Sequence, residues 1–242
     1  MLLRLLPTPP HIVTMPQTMP NYSEYTIRQE LPADFSAVEN LTREAFWNVY
    51  RPGCLEHYVL HCYRNHPDFI PELSLVLEGP AKKAGREILA HVMFAWSEIL
   101  VDPSEAQNAT AEEPRHLRMM TFGPISVRPD MQRKGLGKML LDYALERARQ
   151  MNAGCIAMCG NIRFYGKCGF VTASSKGIRY ADDPDSDAPY FLIRELTPGF
   201  LDGIRGSYRD PAPYFVDEKE AEEFDKHFPP KERKVLPGQL FK

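Results

Sequence analysis

Regular alternation of apolar and polar residues begins at Tyr25. Residues 25–28 have the period-two pattern of a β-strand, whereas apolar residues after Asp34 recur at the spacing of one helix face. A second helical stretch covers residues 55–66 and ends before Pro67. The pattern predicts one strand followed by two amphipathic helices.

Two apolar runs with strand character follow at residues 73–77 and 88–101. The segment 79–86 between them contains Gly, Pro and Lys and is typical of the turn of a β-hairpin. Residues 102–115 are polar and acidic and predict a surface loop, after which residues 117–127 return to a strand pattern. The middle of the chain is therefore predicted to be three consecutive strands.

Helices and strands alternate in the rest of the periodic region. Helical spacing over residues 135–151 is followed by a short apolar strand at 156–159 and a short helix at 162–167. Further strands are predicted from Phe170 and at residues 190–196. The order β–α–α–β–β–β–α–β–α–β–β predicts an α/β domain with a mixed sheet.

Two flanking segments lack this periodicity. Residues 1–24 are rich in proline and predict an irregular extension before a domain at residues 25–198. Residues 199–242 are rich in Pro, Gly and charge, with one acidic helical candidate at 217–228, and predict a C-terminal extension.

Composition excludes several classes of protein. The net charge of −3 in 242 residues gives no general attraction to nucleic acid or anionic membranes, and no apolar run is long enough for a membrane helix. The five cysteines form no CxxC pair and no zinc-ligand spacing, which favours free thiols and no bound metal. A cytoplasmic protein without nucleic-acid or membrane partners is expected.

Basic residues surround the predicted helix start at Gly135. Helix N-termini favour Asp or Glu because of the helix dipole, yet no acidic residue occurs between Gln132 and Asp142. Free backbone N–H groups could instead bind an external anion, whose oxygens could approach Gly135 and Gly137 closely. The bases at this site are Arg128, Arg133, Lys134 and Lys138.

The glycine pattern limits the type of anion site. A Walker A loop fails because Gln132 replaces its first glycine and Met139 follows the lysine, and the dinucleotide pattern GxGxxG fails at Leu140. What remains is [Gln/Arg]-x-x-Gly-x-[Gly/Ala] over residues 132–137. A glycine-rich helix start with a solvated basic patch is equally compatible with these six residues.

A second motif, at residues 165–170, lies downstream of the glycine pattern at residues 132–137. Residues 132–137 resemble motif A of the GNAT superfamily of N-acetyltransferases, and residues 165–170 resemble its motif B, Tyr-x-x-x-Gly-Phe. The resemblance covers about residues 25–198, and the segments 69–76 and 195–199 resemble a bacterial-type branch of predicted N-acetyltransferases. It implies a mostly antiparallel central sheet, splayed at an acyl-CoA site, with helices on both faces.

The resemblance also implies how acetyl-CoA, the cosubstrate, is bound. The pantetheine would lie beside a strand bulged at Gly123-Pro124. The strand residues beside it would be Ile125, Ser126 and Val127. The pyrophosphate would be held by backbone N–H groups of Arg133, Lys134, Gly135, Leu136, Gly137 and Lys138.

Tyr165 matches the family tyrosine that often protonates the departing thiolate, although it could also be a half-buried aromatic residue that only packs. Asn161 is predicted to cap the short helix and could contact the pantetheine, but its spacing to Tyr165 is shorter than the family's common form.

No acidic residue occurs on the strand at 117–127, so the general base is open. Candidates are Glu72, His91 and Glu98, of which His91 is better interpreted as a core histidine and Glu98 as solvated. A neutral amine would need no dedicated base.

The resulting hypothesis is acetyl transfer from acetyl-CoA to a small-molecule or peptide amine by direct attack. The alternatives are a non-catalytic acyl-CoA sensor on the same fold, and a structural or partner-binding protein that binds no CoA. The sequence does not indicate the acceptor. Residues 199–242 could cover the acceptor side or support a homodimer, and deleting them is expected to alter acceptor use more than CoA affinity.

Overall fold

The computed structural model describes residues 24–83, 85–103 and 115–241. The expectations for residues 1–23 and for most of the acidic loop therefore lie outside the described residues. The helices are α1 (Phe35–Phe46), α2 (Glu56–Tyr63), α3 (Leu136–Gln150), α4 (Ile162–Tyr165) and α5 (Glu218–Asp225). The strands are β1 (Thr26–Gln29), β2 (Leu75–Glu78), β3 (Ile88–Val101), β4 (Arg115–Val127), β5 (Cys155–Cys159), β6 (Val171–Thr172), β7 (Ile178–Tyr180), β8 (Phe191–Glu195) and β9 (Gly206–Tyr208).

The strands form one mixed sheet in the order β1-β2-β3-β4-β5-β8-β6. Neighbouring strands on this path are antiparallel except β4 and β5, which are parallel. The last residues of β3 also pair with β9, and β7 lies parallel to β9. The predicted mixed, mostly antiparallel sheet is confirmed.

Helices cover both faces of this sheet, because side chains alternate between faces along each strand. On β3, Val92 and Phe94 pack in one core with Leu140 of α3. The intervening Met93 packs in a different core with Val38 of α1, together with Val59 of α2. The first core is called the α3 face below and the opposite side the α1 face.

The element order predicted from residue 25 to α4 is confirmed, but two strands were missed. β7 and β9 are three residues each, too short to produce a recognisable alternation. Gly206 lies so close to β3 that a Cβ there would be 2.4 Å from the Leu100 carbonyl oxygen. That backbone approach cannot be inferred from the local sequence.

The segment after residue 198 packs against the rest of the molecule. Leu201 and Tyr208 are buried in it, and the helical candidate forms α5. Further on, the Glu232 carbonyl accepts hydrogen bonds from Trp47 Nε1 at 2.9 Å and Asn48 Nδ2 at 3.0 Å. The segment thus contributes a strand to the sheet and contacts the loop between α1 and α2. The domain boundaries themselves stay a prediction.

All five cysteines are free, as expected, and Cys54, Cys155 and Cys168 are buried. Across the described residues, no helix combines the length and the apolar character needed to cross a bilayer. The same residues include no group of His, Cys, Asp and Glu arranged to hold a metal ion.

Candidate active site

An opening in the sheet separates β4 from β5. In the described part of the chain these two parallel strands pair only at Met120 and Ile156, while β4 continues to Val127 and β5 to Cys159. The unpaired stretches, residues 121–127 of β4 and 157–159 of β5, are called the seam below. On its other edge β4 is irregular, since its register with β3 shifts opposite the cis Gly123–Pro124 bond.

The three predicted pantetheine residues lie on β4 within the seam. Ile125 and Val127 pack against the α3 face, whereas Ser126 points to the α1 face and donates a hydrogen bond to Thr42 Oγ1 at 2.9 Å. Their β3 partners are Val92, His91 and Ala90. One backbone edge of this stretch is therefore paired, and the other faces the seam.

The loop after β4 leads directly into α3. Arg133 has a φ of 60° and Gly135 a φ of 86°, and α3 begins at Leu136 without a side-chain cap. Met139 N donates to the Gly135 carbonyl at 3.0 Å, so the N–H groups of Leu136, Gly137 and Lys138 precede the first intrahelical bond. A left-handed glycine and uncapped N–H groups form a concave donor site suited to phosphate oxygens.

Ion pairs reduce the basic residues at this loop from four to two. Arg128 pairs with Asp130 at 2.6 Å and with Glu87 at 3.1 Å, and Lys138 pairs with Asp142. Arg133 and Lys134 are exposed and form no ion pair with an acidic side chain among the described residues. These two side chains remain available to an anion at the start of α3.

Gly137 brings the start of α3 close to both β4 and α4. A Cβ at this position would lie 3.3 Å from Val127 Cγ2 and 3.6 Å from Phe164 Cζ. The predicted phosphate loop, the seam and the helix that carries Tyr165 are therefore neighbours in space.

Tyr165 lies in α4 beside the seam. Its half-buried ring packs edge-to-face on Phe122 of β4, Phe164 and Phe170, at centroid distances of 5.8, 4.8 and 6.0 Å. Burial, with smaller contributions from Tyr50 and Cys168, raises the pKa of Tyr165 well above its usual value. The phenol stays protonated, as a proton donor requires, and it also packs as the alternative interpretation anticipated.

Asn161 caps α4, as predicted, because its side chain accepts a hydrogen bond from Arg163 N at 2.9 Å. That bond uses Oδ1 and leaves the Nδ2 amide without a hydrogen-bond partner in the described ranges. The contact between Asn161 and the pantetheine stays a prediction.

The three general-base candidates occupy different environments. His91 is buried, with Nε2 3.1 Å from Ser74 Oγ, which confirms the interpretation as a core histidine. Glu98 forms an ion pair with His116 at 2.8 Å on the exposed surface, and Glu72 is exposed in a 3₁₀ turn. None of these three side chains forms a hydrogen bond with Tyr165.

Sequence reasoning missed one carboxylate near the seam. Asp210 follows β9, and its Oδ2 accepts a hydrogen bond from Tyr180 at 2.8 Å. Burial, with a smaller contribution from this carboxylate, raises the pKa of Cys159, the last residue of β5. The local sequence gave no signal for this carboxylate beyond several tyrosines in the tail, because its position depends on the pairing of β9 with β3 and β7.

Comparison with known families decides how this arrangement is classified. Residues 81–170, which include β4, the loop, α3 and α4, match the model of the acetyltransferase (GNAT) family. This chain contains a GNAT-family domain. The suspected relationship is thereby confirmed for the part of the sequence that forms the seam. No curated protein sequence matches the chain significantly.

Solved structures share the GNAT fold over most of the chain. A GNAT family N-acetyltransferase from Escherichia coli, in complex with CoA, aligns with a TM-score of 0.61 at 19% identity, covering 80% of this chain and 93% of that one. A GNAT family acetyltransferase from Brucella melitensis, in complex with acetyl-CoA, aligns with a TM-score of 0.54 at 22% identity, covering 78% and 97%. Both are bacterial, and the likeness establishes the fold.

Proposed function

We propose that this protein transfers the acetyl group of acetyl-CoA to an amine acceptor. The observation that carries the proposal is the seam, in which β4 and β5 separate after Met120 and Ile156 next to the uncapped start of α3. An extended thioester cofactor would have a backbone edge to pair with and a phosphate site at its other end. The two bacterial structures that share the fold contain CoA or acetyl-CoA.

The residues suit the chemistry of direct attack. The amine nitrogen attacks the thioester carbonyl, and the resulting oxyanion needs N–H donors, which the unpaired edge of β4 offers. When the carbon–sulfur bond breaks, the thiolate takes a proton from the Tyr165 hydroxyl. Asn161 would orient the pantetheine, and the backbone of residues 133–138 would bind the pyrophosphate.

Binding is the first test. A thermal shift with acetyl-CoA at 100 times its dissociation constant should add about 2.7 kcal/mol of stability. Replacing Arg133 and Lys134 together by Ala should weaken binding at low salt, because both cations are unpaired. Arg147→Ala, at the exposed far end of α3, is the matched control. Absence of any shift with the unmodified protein would refute both CoA-dependent functions.

Turnover separates an enzyme from a sensor. Thiol release from acetyl-CoA is measured over a panel of amines, with the unmodified protein and with Tyr165→Phe. Loss of one general acid should lower kcat about 10²–10⁴-fold, with little change in acetyl-CoA affinity. Tyr143→Phe, on the exposed side of α3, controls for loss of a hydroxyl. Tight binding without turnover, unaffected by Tyr165→Phe, would instead favour a non-catalytic acyl-CoA sensor.

A further inference from the structure

Asp210 is a carboxylate without a cationic partner. It is half-buried, and no Lys, Arg or His nitrogen in the described part of the chain forms an ion pair with it. Tyr180 donates a hydrogen bond to its Oδ2 at 2.8 Å. Burial raises the pKa of the Asp210 carboxyl. Hydrogen bonds from Tyr180 and Tyr208 oppose this rise, whereas the nearby charge of Asp182 adds to it. A shielded carboxylate with only hydroxyl partners has an unused capacity to bind a cation.

The carboxylate lies among residues fixed to both sides of the seam. Tyr208 donates to Thr121 Oγ1 at 3.1 Å, and Tyr214 donates to the Gly123 carbonyl at 3.0 Å. Thr121 and Gly123 belong to the unpaired stretch of β4. At the end of β5, burial, with a smaller contribution from Asp210, raises the pKa of the Cys159 thiol to about 12.

These residues approach the seam from the face opposite the predicted phosphate loop. Tyr208 packs in a core with Met119 of β4 and with Cys155 and Ala157 of β5, whereas Phe122 packs on the α3 face. Thr121 shares the orientation of Met119, because side chains two residues apart point to the same side of a strand. Asp210 therefore lies on the side of the seam opposite the start of α3.

A buried hydroxyl in the same cluster lacks a partner. Tyr63 is fully buried, and its hydroxyl makes no hydrogen bond to any described residue. Its ring packs edge-to-face on Tyr214 at 5.2 Å, and burial, then Asp68, then Asp210 raise its pKa. Buried polar groups are normally paired, so an orphan hydroxyl whose ring packs on Tyr214 points to a missing ligand group.

We propose that Asp210 binds the ammonium group of the acceptor and accepts its proton. The assignment rests on the proposed acetyl transfer and specifies its substrate class as a primary amine that arrives protonated. The ammonium would donate to the Asp210 carboxylate and to the Tyr63 oxygen. The surrounding rings of Tyr63, Tyr180, Tyr208 and Tyr214 favour a cation over an acidic or neutral group.

Protons and electrons balance in this scheme. The ammonium gives one proton to Asp210, and the neutral nitrogen forms a bond to the thioester carbonyl carbon. The carbon–sulfur bond then breaks with its electron pair on sulfur, which takes a proton from Tyr165. The nitrogen loses its second proton to solvent as the amide forms, and solvent restores both side chains, with one net proton released.

The test measures discrimination between a charged and a neutral ligand in the presence of CoA. Binding to the full chain is measured for four pairs: 2-phenylethylamine and 2-phenylethanol, n-butylamine and 1-butanol, 1,5-diaminopentane and 1,5-pentanediol, and alanine amide and N-acetylalanine amide. At least one amine should bind at least tenfold more tightly than its neutral partner, and Asp210→Asn should abolish that ratio. Asp187→Asn, at an exposed position, should preserve it. An unchanged ratio in Asp210→Asn, or no amine preference in the unmodified protein, overturns the proposal.

A second readout is the pH profile of turnover with the preferred amine. A base is active above its pKa, so kcat/KM should fall as pH falls through the raised pKa of Asp210, and Asp210→Asn should lack this decrease. A purely structural role would lower activity equally at every pH, which contradicts the proposal. The groups that face Asp210 are Tyr63, Tyr180, Tyr208, Tyr214, Asp182 and Cys159.

A further variant covers a failure of Asp210→Asn to fold. Tyr63→Phe removes the orphan hydroxyl without unpairing another group, so it should remain folded and weaken amine binding several-fold. Unchanged amine binding in Tyr63→Phe then counts against the site. If acetyl-CoA does not bind but the amine preference and its dependence on Asp210 persist, the proposed transfer fails and the cation site stands.

Discussion

Gly160 lies between β5 and α4, against the ring of Tyr165. A Cβ at position 160 would lie 2.3 Å from Tyr165 Cε2 and 2.7 Å from Met158 Cε, closer than real contacts allow. At Gly166, in the turn that follows α4, a Cβ would meet only the Ile162 side chain, at 3.6 Å from Cδ1 and 3.8 Å from Cγ1, which are ordinary contacts. The position of the Tyr165 hydroxyl therefore depends on the absence of a side chain at Gly160.

We expect Gly160→Ala to displace the Tyr165 ring and lower thiol release at least tenfold. Misplacement of a reacting group by about 1 Å can cost about 10²-fold in rate, while overpacking should cost about 1–3 kcal/mol of stability. Steady-state kinetics and acetyl-CoA titration check this, with affinity changing less than turnover. Gly166→Ala should behave like the unmodified protein, and equal effects of the two substitutions would contradict the argument.

Helix α5 is held to α1 and α2 by a buried ion pair. Arg43 is 1% exposed and forms two bonds to Asp225, Nε to Oδ1 at 2.6 Å and Nη2 to Oδ2 at 3.1 Å. His57 Nε2 lies 3.1 Å from the same Oδ1 without hydrogen-bond geometry. The rings of Phe224 and Phe228 cover His57 at 5.5 and 5.4 Å.

The same cluster has the residue types of a Cys–His–Asp nucleophile but not its chemistry. Cys54 Sγ lies 3.4 Å from His57 Nδ1. Burial, with Glu56 and Asp225, raises the pKa of Cys54 well above its usual value, and burial with Arg43 lowers the pKa of His57 to about 4 despite Asp225. Neither thiolate nor imidazolium forms near neutral pH, so the cluster anchors α5 and does not act as a nucleophile.

Asp225→Asn should lower the free energy of unfolding by about 3–5 kcal/mol, because it leaves the buried Arg43 charge uncompensated. Glu218→Gln removes an exposed ion pair of α5, in which Glu218 Oε1 lies 2.6 Å from Arg51 Nη1. It should change that free energy by less than about 1 kcal/mol. Urea unfolding of both variants tests the difference. Similar losses would mean that Arg43 is solvated in solution.

At the scale of the whole molecule, the segment after β8 surrounds the α1 face. β9 joins the sheet beside β3, α5 packs on α1 and α2, and backbone N–H groups of Leu240 and Phe241 donate to the Tyr50 carbonyl at 2.9 and 3.0 Å. Deleting residues 199–242 would remove buried Leu201 and Tyr208 as well as Asp210. The predicted effect of that deletion on acceptor use is therefore better tested with Asp210→Asn.

Lowering the pH should destabilise the folded protein through the protonation of His57. Its folded-state pKa of about 4 lies below the ordinary value of 6.5, so the unfolded chain binds more protons between these values. With respect to His57, the free energy of unfolding has its full value above about pH 6.5. It decreases by up to about 3 kcal/mol as the pH falls towards 4. Cys54, His61, Arg43 and Asp225 are the charged or titratable groups that face the ring.

The measurement is the slope of unfolding free energy against pH over this window. His57→Gln should flatten it relative to the unmodified protein, whatever its own cost in stability. His116→Gln, which alters the exposed pair with Glu98, should leave the slope nearly unchanged. A slope that is the same in all three proteins would mean that His57 is not buried as a neutral ring.

The sequence by itself determined the features that depend on neighbouring residues. Helical and strand periods gave the element order, the glycines at 135 and 137 indicated the anion site, and Tyr165 to Phe170 supplied the second motif. These patterns are local, since a turn conformation, a helix start and a side-chain period each involve only a few consecutive residues. They also indicated the donor in the proposed reaction.

Only the tertiary structure decided which groups meet. It paired Arg128 with Glu87 and left Arg133 and Lys134 unpaired. It also opened the seam after a single β4–β5 pair, and it carried Asp210 to that opening through two three-residue strands. Contacts between residues distant in sequence depend on sheet register and on backbone approaches such as that of Gly206 to Leu100, which no local pattern encodes.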